Sequence, residues 1–408
     1  MRCRYCKKYL DNIFLDLGYS PLSNAYLYKN DLNKPEIYYP LKIYVCKNCW
    51  LVQTKDYVNS KIIFNSKYAY FSSTSSTWLS HIKNYSEEII KELSLNKDSY
   101  VIEIASNDGY LLKNFLARGI KCLGIEPTAS TATVAKKMGI DVITKFFSKN
   151  LAKKLALKKK KADLIIGNNV YAHVRDISDF TVGLKKILKK NGTITLEFPH
   201  LMRLIKNSLF DTVYHEHFSY LSLYTVSRIF KSVNLRIFKV KELKTHGGSL
   251  RIYGCHSDDL RKNQKSVSLL LQKEKKAGLQ KLKTYQSFQS YADKIKNNLL
   301  SFLIKKKKNR KKVVAYGAAA KGNTLLNYAG IKTDLLTFVY DAARAKQGCF
   351  MPGSHIPILS TKQILNKSKP DYILILPWNI ANEVKKQNYR LVKKGIKFIV
   401  AVPKIKII

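Results

Sequence analysis

Residues 100–112 read YVIEIASNDGYLL, and this stretch leaves the chain few ways to fold. Val101, Ile102 and Ile104 form a short apolar run of the kind that makes a buried strand. Ala105-Ser106-Asn107-Asp108-Gly109 breaks it with small, turn-forming residues. Leu111, Leu112, Phe115 and Leu116 then recur at helical spacing. Strand, tight turn and helix open a doubly wound α/β domain, whose ligand lies at the carboxyl end of that strand.

A second apolar run, 121–125, ends in Glu126, an acid placed to accept both hydroxyls of a ribose. Two nucleotide-using classes share this plan. A dinucleotide site needs GxGxxG so that backbone amides can approach a pyrophosphate. Here Ala105, Asn107 and a single Gly109 stand instead. Glu103 adds a carboxylate just before the turn, which suits a cation and repels a pyrophosphate. The combination favours S-adenosylmethionine, whose sulfonium and amino group are both positive. Further strands are predicted over 141–143, 162–167 and 192–198. The cofactor crevice is therefore expected to draw on Glu103, Ala105, Ser106, Asn107, Asp108, Gly109, Glu126 and Pro127, with Asn168 and Asn169 from the fourth strand end. Phe146 and Phe147 are placed to flank the adenine.

At 408 residues the chain has room for two or three domains. No run of about 18 apolar residues exists, and the first residues lack a signal-peptide core. A cytoplasmic protein with reduced thiols is the expectation. The formal charge of +45, from 73 Lys and Arg against 28 Asp and Glu, raises nucleic acid as a partner. However, Lys far outnumbers Arg, and Asn, Ile and Tyr are abundant, as an AT-rich genome would produce. The Lys runs at 158–161 and 305–312 read as solvated faces, and an anionic small substrate is the more economical use of the field.

Four of the seven cysteines form two matched knuckles, Cys3-x-x-Cys6 and Cys46-x-x-Cys49. A redox pair is the alternative, but duplicated CxxC spacing favours a tetrahedral thiolate set around zinc. With all four positions filled by sulfur, the metal is structural. The aromatic and hydroxyl-rich segment 68–76 reads equally as ordinary loop or as a ligand cover, with Tyr70 able to supply ring and donor together.

The segment Tyr214-His215-Glu216-His217 admits three readings. HxH can bind a metal, but no third ligand follows at helical spacing. It can be a polar loop with satisfied imidazoles. It can also transfer protons, because histidine is easily tuned to neutral pH and a neighbouring Tyr or Glu can orient it. Farther on, 266–303 is predicted as one long amphipathic helix. A second α/β unit follows, with strands near 313–316, 338–341, 373–376 and 398–402. Its small-residue turn at 317–324 offers helix-start amides to a phosphate, and Lys321 adds charge.

Taken together, EIASNDG, GIEPTAS, NNVYAHV, YHEHFSYLS, HGGSLRIY, AYGAAAKGNTLLNYAGI, YDAARAKQGCFMPGSHIPI and LPWN make the chain similar to the bacterial sugar C-methyltransferases that act on nucleotide-linked keto-deoxysugars. The resemblance covers nearly the whole length. It implies an α/β fold with three parts: a zinc-binding domain over 1–75, an S-adenosylmethionine-dependent class I (Rossmann-like) methyltransferase domain over 76–250, and a Rossmann-like nucleotide-sugar domain over 251–408. It implies methylation at carbon 3 of a dTDP-linked 4-keto sugar through an enolate, by a monomer or homodimer. His217 resembles the general base, with Tyr68, Tyr214 and Glu216 lining the sugar and His173 near it. Tyr70, Phe198, His246, Gly247, Lys321, Asn323 and Lys346 are the further substrate-binding residues expected. The sequence departs from the family at Ala105-Ser106, where Gly or Cys is usual, and at His215, where Asp is frequent. A nucleic-acid methyltransferase, one for another small molecule and a non-catalytic scaffold are the alternatives; neither an NPPY-like motif nor a Pro-Cys nucleophile supports the first.

Overall fold

The computed structural model describes residues 1–63 and 72–408, and these fold around three sheets. The first is antiparallel and begins with β1 (Asn12–Ser20), β2 (Tyr39–Val45) and β3 (Val52–Thr54). In β2, Leu41, Ile43 and Val45 are buried and alternate with Lys42 and Tyr44, so one face of the pleat meets the core. The helix Ser76–Glu92 follows. Ser75 caps it by accepting from Trp78 N, and Trp78, Ile82, Tyr85 and Ile89 form its buried stripe.

The second sheet is built by β4 (Tyr100–Ile104), β5 (Lys121–Ile125), β6 (Asp141–Ile143), β7 (Ala162–Asn168) and β8 (Leu188–Pro199). Next in the chain, β9 (Ser219–Tyr220) leaves this sheet and pairs with β3 in the first. β10 (Leu235–Leu243) and β11 (Ser249–His256) return to complete the order β10-β11-β8-β7-β4-β5-β6. Strands β4 to β8 are parallel, and β11 is antiparallel to both neighbours. The β10–β11 hairpin was not expected from the sequence. The boundary expected at 250 falls inside β11. Strand order reverses between β4 and β7, which places the crevice between their carboxyl ends.

The predicted long helix over 266–303 is corrected to three helices, Lys265–Lys276, Leu282–Gln286 and Phe288–Lys308. The break follows from Gly278 at φ +79, a left-handed backbone no helix continues through. The first of the three is also more than a spacer. Its buried Glu274 accepts from Leu223 N, Tyr224 N and His200 Nε2, and so caps the helix Leu223–Lys231.

The third sheet contains β12 (Val313–Tyr316), β13 (Val339–Asp341), β14 (Ile358–Ser360), β15 (Tyr372–Ile375), β16 (Lys397–Val400) and β17 (Lys406–Ile407). Its order is β14-β13-β12-β15-β16-β17, parallel except for the last pair. One core joins the first and third sheets: Phe14, Leu15, Ile43 and Val52 share it with Ala315, Leu374 and Ile399. Among the described residues no helix is long and apolar enough to cross a membrane.

Candidate active site

The turn after β4 is shaped by left-handed backbone at Ala105 (φ 58), Asn107 (φ 50) and Gly109 (φ 79). Glycine is required at 109, because an added Cβ would sit 2.6 Å from Ile140 Cδ1. Glu126, at the end of β5, accepts from Asn107 N at 2.9 Å and from Thr128 N at 2.8 Å, and so locks the turn to its neighbour strand. Asn107 and Asp108 accept from the backbone of Ser72 and Ser73, tying the segment before the helix Ser76–Glu92 to the same turn.

Among the described residues several buried polar groups at this strand edge have no partner: both oxygens of Glu103, Ser106 Oγ, Asp108 Oδ1, and both amide atoms of Asn168. Such groups are almost always satisfied in folded proteins, so a cluster of them marks a ligand's place. Burial, then the charges of Glu126 and Asp108, push the Glu103 carboxyl well above its ordinary value. A cationic ligand would relieve that cost, and Asn168 offers both a donor and an acceptor. The set fits S-adenosylmethionine, with Glu103, Asp108, Glu126 and Asn168 as the residues to hold it. Ser106 lies beneath the turn against Gly124, where an added Cβ would meet its Oγ at 2.5 Å. Pro127 is half-buried beside Glu126. Phe147 is turned into helix packing, edge-on to Phe180 at 5.1 Å, while Phe146 stays 40% exposed.

His217 is buried, and its Nδ1–H donates to the Thr212 carbonyl at 2.9 Å. A carbonyl can only accept, so Nδ1 carries the proton and Nε2 keeps its lone pair. Burial, helped by the charges of His173, Lys321 and His246, holds His217 well below the ordinary imidazole value. Tyr214 lies with its ring 4.0 Å from that of His217, and His173 meets it edge-on at 4.7 Å. Burial lowers His173 to about 4. A small cavity beside this group is lined by Ala172, His200, Thr212, His217, Tyr220 and His246. Glu216 Oε1 accepts from Asn24 of the first domain at 2.7 Å. His215 faces the other way, edge-on to Tyr39.

His246 sits at φ 52 in the turn before β11 and accepts from Asn169 Nδ2 at 3.2 Å; Asn169 is itself left-handed. The next residue, Gly247, has φ +88, and an added Cβ would lie 2.5 Å from Trp378 Cη2. Trp378 follows β15 and brings the third sheet's carboxyl edge against this turn. Its Nε1 donates to Asp211 Oδ2 at 2.6 Å. Lys321 donates to Asn379 Oδ1 at 2.7 Å and lies 4.7 Å above the Trp378 ring. Lys346 donates to the Ala318 carbonyl and lies over Tyr26. Asn323 donates to the Ser23 carbonyl, joining the third domain to the first.

Two expected substrate residues, Tyr68 and Tyr70, lie outside the described residues. Phe198 is corrected: the pleat of β8 turns Glu197 toward the crevice side, so Phe198 faces the opposite core and packs near Tyr171. Sequence reasoning missed the group on the crevice side. Arg251 Nη2 donates to Glu197 Oε2 at 2.6 Å, while His81 Nε2 bonds the same carboxylate and Thr245 its other oxygen. His81 stacks on Trp78, whose ring also meets His246. An Arg inside the HGGSLRIY motif was the available signal.

The four expected zinc ligands, Cys3, Cys6, Cys46 and Cys49, bring their sulfurs within 4.8 Å of one another. Cys3–Cys49 and Cys6–Cys46 are 3.6 and 3.5 Å apart. A tetrahedron of about 2.3 Å Zn–S bonds needs S···S near about 3.8 Å, so the set fits zinc. Gln53, on β3, donates to Cys3 Sγ at 3.1 Å and accepts from Arg4 N.

Three families match the chain in order: "Putative zinc binding domain" over residues 3–64, "Methyltransferase domain" over 78–240, and "C-methyltransferase C-terminal domain" over 244–403. C-methyltransferase NovU of Streptomyces niveus is 30% identical over 408 residues, covering 100% of this chain and 96% of that protein. The ubiquinone biosynthesis O-methyltransferase of Pelagibacter ubique (strain HTCC1062) is 27% identical over 142 residues, 33% of this chain and 58% of that one. Among solved structures, magnesium protoporphyrin IX methyltransferase from Synechocystis with bound S-adenosylmethionine aligns with a TM-score of 0.36 and 14% identity, over 50% of this chain and 100% of that one.

Proposed function

The chain belongs to the S-adenosylmethionine-dependent C-methyltransferase family, and on that premise we propose that it methylates carbon 3 of a nucleotide-diphosphate-linked 4-keto-deoxysugar. The observation that carries this reading is the tautomer of His217: Nδ1–H is committed to Thr212, and a buried, neutral Nε2 is left as a base. Carbon becomes a nucleophile only when a neighbouring carbonyl makes its proton acidic, so the reaction needs a base, a stabilised oxyanion and alignment. The bound cofactor supplies an activated, positively charged methyl group. His217 removes the proton beside the ketone, and Tyr214 and His173 wall the ring that does so. Asn24 fixes Glu216 beside them. Tyr68 takes its place at the sugar by resemblance. The turn at Gly317–Ala319, with Lys346 and Tyr26, is the proposed seat of the nucleotide. The net positive charge of the chain favours capture of an anionic substrate of this kind.

Incubation with methyl-labelled S-adenosylmethionine and a panel of dTDP-4-keto sugars tests this, with mass spectrometry locating the label. Label at carbon 3 is the expected outcome; cofactor binding with no label in any sugar would overturn the reading. His217→Asn should lose turnover by about 10²–10⁴-fold while still binding both ligands. Unchanged turnover in that variant would remove His217 as the base.

A further inference from the structure

We propose that Lys321 is a catalytic residue that stabilises the enolate oxygen formed when His217 removes the substrate proton. The inference rests on the keto-sugar reading above and replaces the phosphate role that the sequence suggests for this side chain.

Lys321 lies in the first turn of the helix Ala320–Tyr328, at the point where strand order reverses between β12 and β15. Three contacts fix it relative to the base. Trp378, beneath its ammonium, bonds Asp211, and Asp211 is followed by Thr212, whose carbonyl holds His217. Thr324, one turn along the same helix, donates Oγ1 to the Val213 carbonyl at 2.8 Å. On the other flank the Trp378 ring fills the space beside Gly247, the neighbour of His246. The segments carrying His217 and His246 therefore close around this cation.

Among the described residues Asn379 is the hydrogen-bond partner of an ammonium that has three N–H donors, and no carboxylate lies at ion-pair distance. The charge of Asp211 acts on this ammonium only through space, so its remaining N–H groups are free to bond an oxygen from outside the chain. Asp211 Oδ1, nearby, is buried and has no hydrogen-bond partner among the described residues. The charge of Lys321 is felt at both His217 and His246, which it helps to keep neutral. A single cation facing a neutral imidazole matches the one charge that develops during enolisation. A diphosphate carries several charges, and the turn at Gly317–Ala319 with Lys346 is already its proposed seat.

In the step, His217 Nε2 takes the proton from the carbon next to the ketone. The C–H electron pair becomes the enolate double bond, and the carbonyl π pair moves onto oxygen, where a Lys321 N–H bonds it. The ketone re-forms as that carbon bonds the methyl group, and the S–CH₃ bond breaks with its pair left on sulfur. The proton leaves from His217 to solvent.

The test isolates enolisation from transfer. With dTDP-4-keto-6-deoxyglucose as probe and S-adenosylhomocysteine in place of the methyl donor, NMR in D₂O follows exchange of the proton at carbon 3. In the full-length, zinc-loaded protein, Lys321→Met should slow both exchange and methyl transfer by about 100–1000-fold. Binding of the probe should change by less than about 3-fold, and Lys321→Arg should recover part of the rate. Lys321→Gln, which keeps a donor toward Asn379, serves if the Met variant does not fold. Unchanged exchange with weakened probe binding would overturn the proposal and return Lys321 to the phosphate. A wild-type protein that neither exchanges nor methylates the sugar panel would overturn the keto-sugar reading itself, and this inference with it.

Discussion

The proposed role of His217 as base depends on what surrounds it. Burial removes the water that would stabilise an imidazolium, and the charges of His173, Lys321 and His246 oppose it further; only the Thr212 carbonyl favours it. The sign follows directly. A depressed value keeps the ring neutral at pH 6.5, and activity is lost only as the pH falls well below that. The acid limb of kcat/KM, measured across pH 4–8, should therefore lie below the ordinary histidine value; a limb at or above it would contradict the assignment. Glu197 shows the opposite balance. Burial alone would raise it, but His81 and Arg251 outweigh that and hold it near about 2. Its contribution to stability is thus present above its ordinary value of 4.5 and lost as pH falls toward 2. Arg251→Met would leave that buried carboxylate without its main counter-charge. Urea unfolding should show a loss of about 3–5 kcal/mol.

A short pairing of elements couples the metal to the chemistry. Zinc fixes the two knuckles, Gln53 binds Cys3, and Gln53 itself lies on β3 opposite Ser219 of β9. Thr54, next on β3, donates to the His217 carbonyl, and its own amide bonds Phe218. The loop that carries His217 is thereby held from the first domain, whereas the cofactor crevice is built from β4, β5 and β7. Zinc removal by a chelator, or Gln53→Leu, should lower kcat at least about tenfold while calorimetric binding of S-adenosylmethionine persists. Loss of cofactor binding in parallel would mean the two units are not separable in this way.

At the scale of the whole molecule, the proposed site lies where three domains meet. The first domain contributes Asn24 and Tyr26, the second His217 and the cofactor turn, and the third Lys321 and Trp378. Trp378 is the main tie, through Asp211 and the left-handed turn at Gly247. Trp378→Ala should raise KM for the sugar nucleotide about tenfold or more and leave cofactor affinity unchanged. Gly247→Ala, which forces the ring away, should do the same. Equal effects on both ligands would show instead a global loss of structure.

The sequence by itself determined the elements whose signal is local. The apolar run and small turn at 101–109 and the paired CxxC spacing carry their geometry in nearby residues and formed as read, while Glu126 ends its strand as expected with both carboxylate oxygens accepting from backbone amides. The hairpin of β10 and β11 escaped because its lysines and the buried Arg251 disguise the alternation. Phe198 was misplaced because the face of a strand is decided by its partners in the sheet. Only the tertiary structure decided that Glu197, Arg251 and His81 form one group, and that Lys321 lies over Trp378, the residue that bonds Asp211. Both depend on contacts between residues far apart in the chain, where burial and charge, not neighbouring sequence, set what a side chain can do.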